Sequence, residues 1–389
     1  MSLPLHLRAE THGLVPGLYK VLGIDEALRE RFPLSQVLVD LRQGPEIDQL
    51  AVASFGVAGI LSRERTLSED LPQIYGLSLD NAVAPGDAIC LRPNGQVNVL
   101  FRRGANANTL FVTERCNSLC LMCSQPPREV DDGWRISEMI DLVALIDPTL
   151  DVLGVTGGEP TLLGSGLIRL LAEARQQLPQ THLHVLTNGR TFADAAFADL
   201  FADIRAHATW AIPLYGDVAR AHDFVVQSPG AFVETMNGLH NLAERGHRIE
   251  IRTVLHAQTL PRIVQLARFI HRNLPFANHV ALMGLEPMGL ARSNKALLET
   301  EFSDLSAQIA PAVSLLQQAG LNVSIYNVPL CALQPSLWPF ARKSISDWKN
   351  EYADACASCS VRQECCGFFR SAPMTWRDAV ARPIVGSAA

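Results

Sequence analysis

The chain has 389 residues, more than one ordinary hydrophobic core holds, so we expect one large domain with smaller additions at both ends. With 48% hydrophobic and 19% charged residues it has a globular composition, and no apolar run is long enough to span a bilayer. A net charge of −6 and a pI near 6.0 argue against nucleic acid as a partner. The N-terminus lacks a signal-peptide pattern, which indicates a cytoplasmic protein.

Residues 1–105 contain short apolar runs separated by Gly, Pro and Asp, a pattern typical of β-strands. Two of these runs, AICLR and VNVLFRR, flank Asn94-Gly95, which is the strongest short hairpin signal in the chain. Cys90 lies in the first run, and we interpret it as a core residue that binds no metal. The sequence therefore predicts a small β-rich N-terminal unit.

From residue 109 onward, short apolar runs alternate with amphipathic segments of helical period. The predicted strands are TLFVT, VLGVTGG, LHVLTNG, TWAIPLY, IEIRTVLH and HVALMGLEP. The predicted helices between them are RISEMIDLVALI, GLIRLLAEARQQL, FADAAFADLFADI, GAFVETMNGLHNLAERG and LPRIVQLARFIHRNL. Six βα units in series predict a parallel sheet with right-handed crossovers, and so an α/β fold with a partial or closed (β/α)6 barrel over residues 106–318.

Residues 319–389 begin with LNVSIYNVP, a strand-like segment, and then carry five of the nine cysteines. Three more cysteines fall between residues 116 and 123. In a reducing compartment such groups indicate metal sites rather than a disulfide framework. A segment so short and rich in cysteine would have little core without metal, so we predict a C-terminal module organised by metal.

Cys116, Cys120 and Cys123 lie directly after the first strand of the βα series, at the end where such folds carry their chemistry. Their number is informative. Structural zinc normally takes four protein ligands, whereas a [4Fe-4S] cluster held by three cysteines keeps one iron open for a small molecule. A zinc site completed by a distant residue is the alternative.

The spacing C-x-x-x-C-x-x-C after a first strand, with Gly157-Gly158-Glu159-Pro160 at the end of the second, resembles the radical S-adenosylmethionine (SAM) superfamily. The resemblance implies a TIM-like partial barrel in which the open iron and the GGEP residues bind SAM. It also implies reductive cleavage of SAM to a 5′-deoxyadenosyl radical, with electrons from a donor such as flavodoxin or ferredoxin.

Two further strand ends carry polar residues that we expect to contact cofactor or substrate. Asn188 follows the third strand, where an ordinary Asn-Gly turn is the alternative, and Tyr215 follows the fourth. The stretch from Tyr215 to His222-Asp223 resembles the peptide-modifying branch of the superfamily. Pro213 departs from that pattern, because it stands where many relatives carry a ribose-binding Ser.

Arg252 and Glu286 are charged residues inside the fifth and sixth predicted strands. Burying a charge there is costly unless it is paired, so these two side chains pair with each other or face a ligand. The sequence singles out no catalytic residue.

Cys331, Cys356, Cys359 and Cys365 supply four thiolates, enough for a closed zinc site or for a second, auxiliary [4Fe-4S] cluster. Their spacing resembles the auxiliary-cluster modules of radical SAM peptide-modifying enzymes. Relatives usually end this motif Cys-Gly-Gly, whereas here Cys366 follows Cys365. Either neighbour can be the ligand, and we predict Cys365.

The stretch TERCNSLCLMCSQPP at 113–127 resembles the His-Xaa-Ser system radical SAM maturase family, as do LMGLEP at 282–287 and WKNEY at 348–352. The resemblance implies hydrogen abstraction from a ribosomally made precursor peptide, with a second radical SAM maturase as a partner. An extended peptide could add as a strand to an exposed sheet edge. The alternatives are a radical SAM enzyme acting on a small metabolite and a non-catalytic iron–sulfur or zinc protein.

Overall fold

A computed structural model describes residues 3–29, 31–42, 52, 55–66, 71–105, 107–300, 302–343 and 350–386. Its strands are β1 His6–Arg8, β2 Glu10–His12, β3 Gly17–Leu22, β4 Val37–Asp40, β5 Gly59–Leu61, β6 Gln73–Tyr75, β7 Ala88–Leu91, β8 Gln96–Phe101, β9 Asn108–Phe111, β10 Val152–Thr156, β11 His182–Leu186, β12 Ala208–Pro213, β13 Arg248–Leu255, β14 His279–Gly284, β15 Val323–Tyr326 and β16 Ala341–Arg342. Its helices are α1 Ile24–Ala27, α2 Trp134–Val143, α3 Ser165–Gln177, α4 Ala195–Asp199, α5 Ala219–Val226, α6 Ala231–Glu244, α7 Ile263–Asn273, α8 Leu290–Ser293, α9 Lys295–Leu298, α10 Phe302–Gln318 and α11 Met374–Val380.

These elements form two compact units. The first comprises Met1–Leu110, Gly133–Leu153 and Arg169–Thr181, and the second comprises Phe111–Asp132, Gly154–Ile168 and His182–Ala389. The domain boundaries drawn from the sequence, at 105/106 and 318/319, stay a prediction.

The first unit contains the predicted β-rich sheet. Its eight strands run in the order β1-β8-β7-β3-β4-β5-β6-β2. The predicted hairpin joins β7 to β8, and Gly95 has a positive φ of 76° at its turn. β1 and β2 are separated by Ala9 alone and are the two outermost strands of this sheet, β1 pairing with β8 and β2 with β6.

A buried charge lies in the core of the first unit. Lys20 is fully buried, and its Nζ donates hydrogen bonds to the Gly86 carbonyl at 2.6 Å and to Asp147 Oδ2 at 3.0 Å. The ammonium also lies 4.8 Å from the ring centre of Phe32 and 5.1 Å from that of Phe101. Burial lowers the pKa of Lys20, and the charge of Asp147 opposes this shift.

The second sheet confirms the predicted partial barrel. Its strand order is β16-β15-β14-β13-β12-β11-β10-β9, and every pairing from β11 to β16 is parallel. The LNVSIYNVP segment supplies β15, so the sheet continues for two strands beyond the six of the predicted barrel. Parallel strands bring their carboxyl ends to one edge of the sheet, and the candidate site is built at that edge.

One predicted helix is shorter than its pattern indicates. Of FADAAFADLFADI, only residues 195–199 are α-helical, with 3₁₀ turns at 190–193 and 202–204. Asp194 begins the helix by accepting a hydrogen bond from Ala196 N at 2.9 Å. The rings of Phe192 and Phe201 pack on Trp210, with their centres 4.7 and 5.2 Å from the centre of the Trp210 ring. This aromatic packing overrides the helical period.

No helix among the described residues is long and apolar enough to cross a membrane.

We expect the Asp147→Ala variant to lose about 3–5 kcal/mol of unfolding free energy, because it leaves the Lys20 ammonium buried without its partner. Lys20→Met is the matched comparison and should cost less, since an apolar side chain of similar length replaces the charge. Urea denaturation followed by circular dichroism measures both. Equal losses in the two variants would contradict this account.

Candidate active site

The loop that carries Cys116, Cys120 and Cys123, residues 116–123, follows β9 and has no regular secondary structure. We call it the cysteine loop. Neighbouring elements bind its backbone by hydrogen bonds. Leu119 N and Leu121 N donate to the carbonyls of Val226 and Val225, at the end of α5, at 3.1 and 2.9 Å. At the other end of the loop, the amide that begins α8 donates to the Cys123 carbonyl at 2.8 Å. The cysteine loop is therefore fixed between two helix ends.

The chain enters this loop beside Asp132, whose carboxylate is 2% exposed. Asp132 accepts a hydrogen bond from Thr113 Oγ1 at 3.0 Å and another from Glu114 N, and lies 3.3 Å from Arg115 Nε. A buried carboxylate is stable only when its oxygens are paired. These contacts consequently fix the backbone of residues 113–115.

The three thiols of the cysteine loop interact with one another. Burial, and then the neighbouring thiols, raise the pKa of Cys120 to about 12. Burial likewise raises the pKa of Cys116 to about 11, against which Arg190 acts as a nearby positive charge. Thiols in such a site lose their protons when a metal binds them. The set fits a metal centre better than three free thiolates.

The glycines of the GGEP motif lie against the chain that enters the cysteine loop. Gly158 N donates to the Thr113 carbonyl at 2.7 Å, and Glu159 N to the Arg115 carbonyl at 2.8 Å. A Cβ added at Gly158 would lie 2.1 Å from the Arg115 carbonyl oxygen, and one at Gly157 would lie 2.6 Å from that of Thr113. Glycine is required here so that two backbone segments can approach.

Glu159 is 1% exposed, and its carboxylate accepts four hydrogen bonds from the chain itself. Thr161 donates to it from its backbone N at 3.0 Å and from its hydroxyl at 2.7 Å. Thr187 Oγ1 and Asn188 N donate to it at 2.6 Å each. Burial raises its pKa, and these hydrogen bonds oppose the rise. Glu159 thus joins the ends of β10 and β11, while the buried ring of Pro160 begins the next 3₁₀ turn.

Asn188 reaches the cysteine loop. Its Nδ2 donates to Asn117 Oδ1 at 2.5 Å, and its backbone carbonyl accepts from Thr235 Oγ1 at 3.2 Å. The predicted residue Asn188 therefore links the end of β11 to the cysteine loop and to α6.

Tyr215 is 9% exposed and belongs to the apolar packing behind the cysteine loop. Its ring stacks at 5.9 Å on His222, whose Nδ1 accepts a hydrogen bond from Tyr215 N at 3.2 Å. Leu121 and Met122 pack in the same apolar group, with Cys120 at its margin. Burial raises the pKa of Tyr215 above its ordinary value. The surroundings of this predicted residue make it a wall of the site.

Arg252 pairs within its own strand: its Nη1 lies 2.9 Å from Glu250 Oε1, two residues earlier on the same face of β13. Glu286 Oε1 lies 3.5 Å from Ser371 Oγ. Glu250 Oε2 lies 2.7 Å from His279 Nδ1, and His184 Nε2 is 3.4 Å from Glu250 Oε1. Burial raises the pKa of Glu250, but these histidines and Arg252 bring it well below its ordinary range.

The second predicted set of cysteines lines one cavity. Cys331, Cys356, Cys359 and Cys365, here called the C-terminal cysteines, line one small cavity that also touches Tyr352. Cys366 does not line it. All nine cysteines of the chain are free of disulfides. Of the WKNEY motif, residues 348 and 349 lie outside the described part of the chain.

The pKa values of Cys365 and its neighbour Cys366 are shifted in opposite directions. A hydrogen bond from the Cys366 thiol, together with the backbone amides of Gly367 and Leu330 at 3.3 Å each, lowers the pKa of Cys365 to about 6. The same hydrogen bond and burial raise the pKa of Cys366 well above its ordinary value. Cys365 is the better thiolate, which is what a metal ligand requires.

Both sets offer thiolates alone, the donors that iron–sulfur clusters take. Within the ranges that the structure describes, no three or more His, Cys, Asp or Glu side chains are placed to hold a single metal ion.

Two residues of the site were not predicted from the sequence. Arg190 Nη1 donates to Ser118 Oγ at 3.0 Å and to the Asn117 carbonyl, and Arg190 Nε lies 2.6 Å from Glu234 Oε2 on α6. The only signal available was an arginine directly after a strand-ending Asn-Gly turn. Glu234 gave no signal, because it lies 44 residues further along the chain.

Comparisons with known proteins give one family match and several similar structures. Residues 110–270 match the family described as "Radical SAM superfamily". SuiB from Streptococcus suis, solved with S-adenosylmethionine, shares 16% identity at a TM-score of 0.44 over 56% of this chain and 49% of its own. A radical SAM methyltransferase from Sphaerobacter thermophilus shares 16% sequence identity at a TM-score of 0.43, over 61% of this chain and 72% of its own. The FeFe-hydrogenase maturase HydG from Carboxydothermus hydrogenoformans shares 15% sequence identity at a TM-score of 0.43, over 56% of this chain and 52% of its own.

This chain thus spans about half the length of the SuiB structures. No curated protein gives a significant sequence match. The matched segment contains the cysteine loop, the GGEP motif and the strand ends that hold them, which confirms the superfamily resemblance drawn from the sequence. Residues 110–270 of this chain are a radical SAM domain.

Proposed function

We propose that this chain is a radical SAM enzyme that abstracts hydrogen from a ribosomally made precursor peptide of the His-Xaa-Ser type. The observation that carries the proposal is that the GGEP motif is joined by backbone hydrogen bonds to Thr113 and Arg115, in the segment that leads directly into the three-cysteine loop, inside a radical SAM domain. The peptide substrate is supported by the sequence resemblance at 113–127, 282–287 and 348–352.

In this proposal Cys116, Cys120 and Cys123 hold a [4Fe-4S] cluster that binds SAM at its open iron. When bound, these cofactors supply an electron and a 5′-deoxyadenosyl radical that takes a hydrogen atom from the substrate. The residues assigned to SAM are Gly157, Gly158, Glu159, Pro160, Asn188 and Tyr215. The chain's own task is to keep these groups in position and the site free of water.

Glu159 performs that task indirectly. Its carboxylate is bound by the chain itself: Oε1 accepts hydrogen bonds from Thr161 N, Thr161 Oγ1 and Thr187 Oγ1, and Oε2 accepts one from Asn188 N. We assign it the role of fixing the two strand ends that carry the SAM-binding backbone. Tyr215 shields the Cys120 side of the loop by apolar packing.

We further propose that the C-terminal cysteines hold an auxiliary [4Fe-4S] cluster, with Cys365 rather than Cys366 as the fourth ligand. The shared cavity and the lowered pKa of Cys365 support this choice. A cluster with four protein ligands has no open iron, so its roles would be electron transfer or folding of the C-terminal segment.

The proposed partners follow from the chemistry. Reduction of the first cluster needs an electron donor such as flavodoxin or ferredoxin, and the family resemblance implies a second radical SAM maturase. Strand addition of the peptide would use an outermost strand, and in the N-terminal sheet these are β1 and β2, of three residues each. In the second sheet β9 and β16 are the outermost strands.

Anaerobically purified protein should contain about eight irons, the content of two [4Fe-4S] clusters. Replacing Cys116, Cys120 and Cys123 together by Ala should remove about half of the iron, and replacing the C-terminal cysteines should remove the other half. Cys366→Ala should leave iron nearly unchanged and is the matched control. Iron and zinc are measured by elemental analysis, and zinc at the second set would refute the auxiliary cluster.

We expect Glu159→Ala to weaken SAM binding by about tenfold, the usual cost of losing a supporting contact. Iron content should stay near the wild-type value, because none of the hydrogen bonds of the Glu159 side chain reaches residues 116–123. The free energy of unfolding should fall by about 1–3 kcal/mol, because the buried donors lose their acceptor. Glu244→Ala, at a side chain 73% exposed, is the control. Parallel loss of iron and SAM would indicate that Glu159 only maintains the fold.

With a precursor peptide deuterated at its repeat residues, 5′-deoxyadenosine formed by the reduced enzyme should carry deuterium, as mass spectrometry will detect. The variant lacking Cys116, Cys120 and Cys123 should form none. Cleavage of SAM without deuterium transfer from the peptide would point to a small-metabolite substrate. Absence of SAM cleavage with the first cluster intact would leave the scaffold or redox-carrier alternative.

A further inference from the structure

Arg190 lies beside the cysteine loop and is held there by contacts on two sides. Its side chain is 12% exposed and belongs to the 3₁₀ turn at 190–193, directly after Asn188-Gly189. On one side its guanidinium donates to Ser118 Oγ at 3.0 Å and to the Asn117 carbonyl. On the other side its Nε pairs with Glu234 at 2.6 Å. Guanidinium is suited to this bridge because its donors have a rigid, planar arrangement.

Helix α6 provides the rigid support for this arrangement. Thr235, the neighbour of Glu234, donates to the Asn188 carbonyl at 3.2 Å. One turn further along the helix, a Cβ added at Gly238 would lie 2.2 Å from the Gly189 carbonyl oxygen. The helix therefore packs directly on the turn that carries Arg190, and Glu234 in its first helical turn approaches from the same side.

We propose that Arg190 is a positioning residue that both holds the cysteine loop and supplies a fixed positive charge to the cluster bound there, with Glu234 setting the strength of that charge. This inference rests on the proposed function, because it requires a [4Fe-4S] cluster on Cys116, Cys120 and Cys123. The Arg190 charge is close enough to interact with the Cys116 thiol. Neither residue needs to contact SAM or substrate.

The two residues act in opposite directions on the cluster's reduction potential. Reduction adds a negative charge, which a nearby cation stabilises, so Arg190 raises the potential. Glu234 partly neutralises that cation and lowers the potential. Removing each charge should therefore shift the potential with opposite sign. Two residues that served only to fold the loop would give no such pattern.

The experiment is a redox titration, followed by electron paramagnetic resonance, of anaerobically reconstituted full-length protein that lacks the C-terminal cysteines. Arg190→Gln should shift the midpoint potential of the first cluster to more negative values, and Glu234→Gln to more positive values. Arg190→Lys keeps the charge and should stay closer to wild type than Arg190→Gln. Shifts of one sign in Arg190→Gln and Glu234→Gln, or no shift in either, would overturn the inference.

A matched pair at the far end of α6 gives the control. Arg245 Nε lies 2.6 Å from Asp199 Oδ1, so Arg245→Gln and Asp199→Asn remove the same charges without touching the cysteine loop. Both should leave the potential unchanged. If Arg190→Gln does not retain its iron, Glu234→Gln alone tests the inference. A shift of its midpoint potential to more positive values supports the inference, and a negative shift or no shift overturns it. Failure of wild-type protein to bind iron or cleave SAM would refute the proposed function, whereas normal cleavage with unshifted potentials would refute this inference alone.

Discussion

Four hydrogen bonds converge on the buried carboxylate of Glu159 and join the end of β10 to the end of β11. Parallel strands bring their carboxyl ends together, but the sheet hydrogen bonds stop where the strands stop, so the loops beyond need other contacts to define their geometry. Glu159 provides these contacts to Thr187 and Asn188, while its own amide pairs with the Arg115 carbonyl. The carboxylate is stable in its buried position because these four hydrogen bonds compensate for the loss of water.

The cysteine loop depends on this framework because it has no secondary structure of its own. Asn188 and Arg190 extend from the end of β11 to Asn117 and Ser118, and α5 and α8 hold the rest of the loop by backbone hydrogen bonds. A three-ligand cluster site needs this support more than a four-ligand site does, since one of its irons is left without a protein ligand. The geometry of the candidate site is thus a property of four strand and helix ends rather than of the cysteine motif.

The sequence predicted what is encoded locally. Apolar runs and helical periods located the strands of the partial barrel, and the cysteine spacing and GGEP marked the candidate site. The partners of these residues could not be predicted, because Glu234 is 44 residues from Arg190 in the chain. The pairing of Arg252 with Glu250 on the same face of one strand was readable from its i, i+2 spacing, although the prediction named only Glu286 or a ligand as its partner. The helix predicted over residues 192–204 is shorter than its pattern indicates, because packing on Trp210 is a tertiary effect.

Cys365 and Cys366 show how one neighbouring residue can assign chemistry that spacing leaves open. Two adjacent thiols cannot both be deprotonated cheaply in a buried site, so one stays protonated. Here Cys366, whose Sγ also lies 3.4 Å from the Gly367 carbonyl oxygen, is the protonated thiol, while the amides of Leu330 and Gly367 stabilise the Cys365 sulfur. The positive φ of 64° at Gly367 aims its amide at that sulfur, and a Cβ there would lie 2.3 Å from the Glu351 carbonyl oxygen. Glycine is required at position 367 because the chain turns back there with a positive φ while the Gly367 amide points at the Cys365 sulfur. This amide favours Cys365 as the ligand, whichever residue occupies position 366.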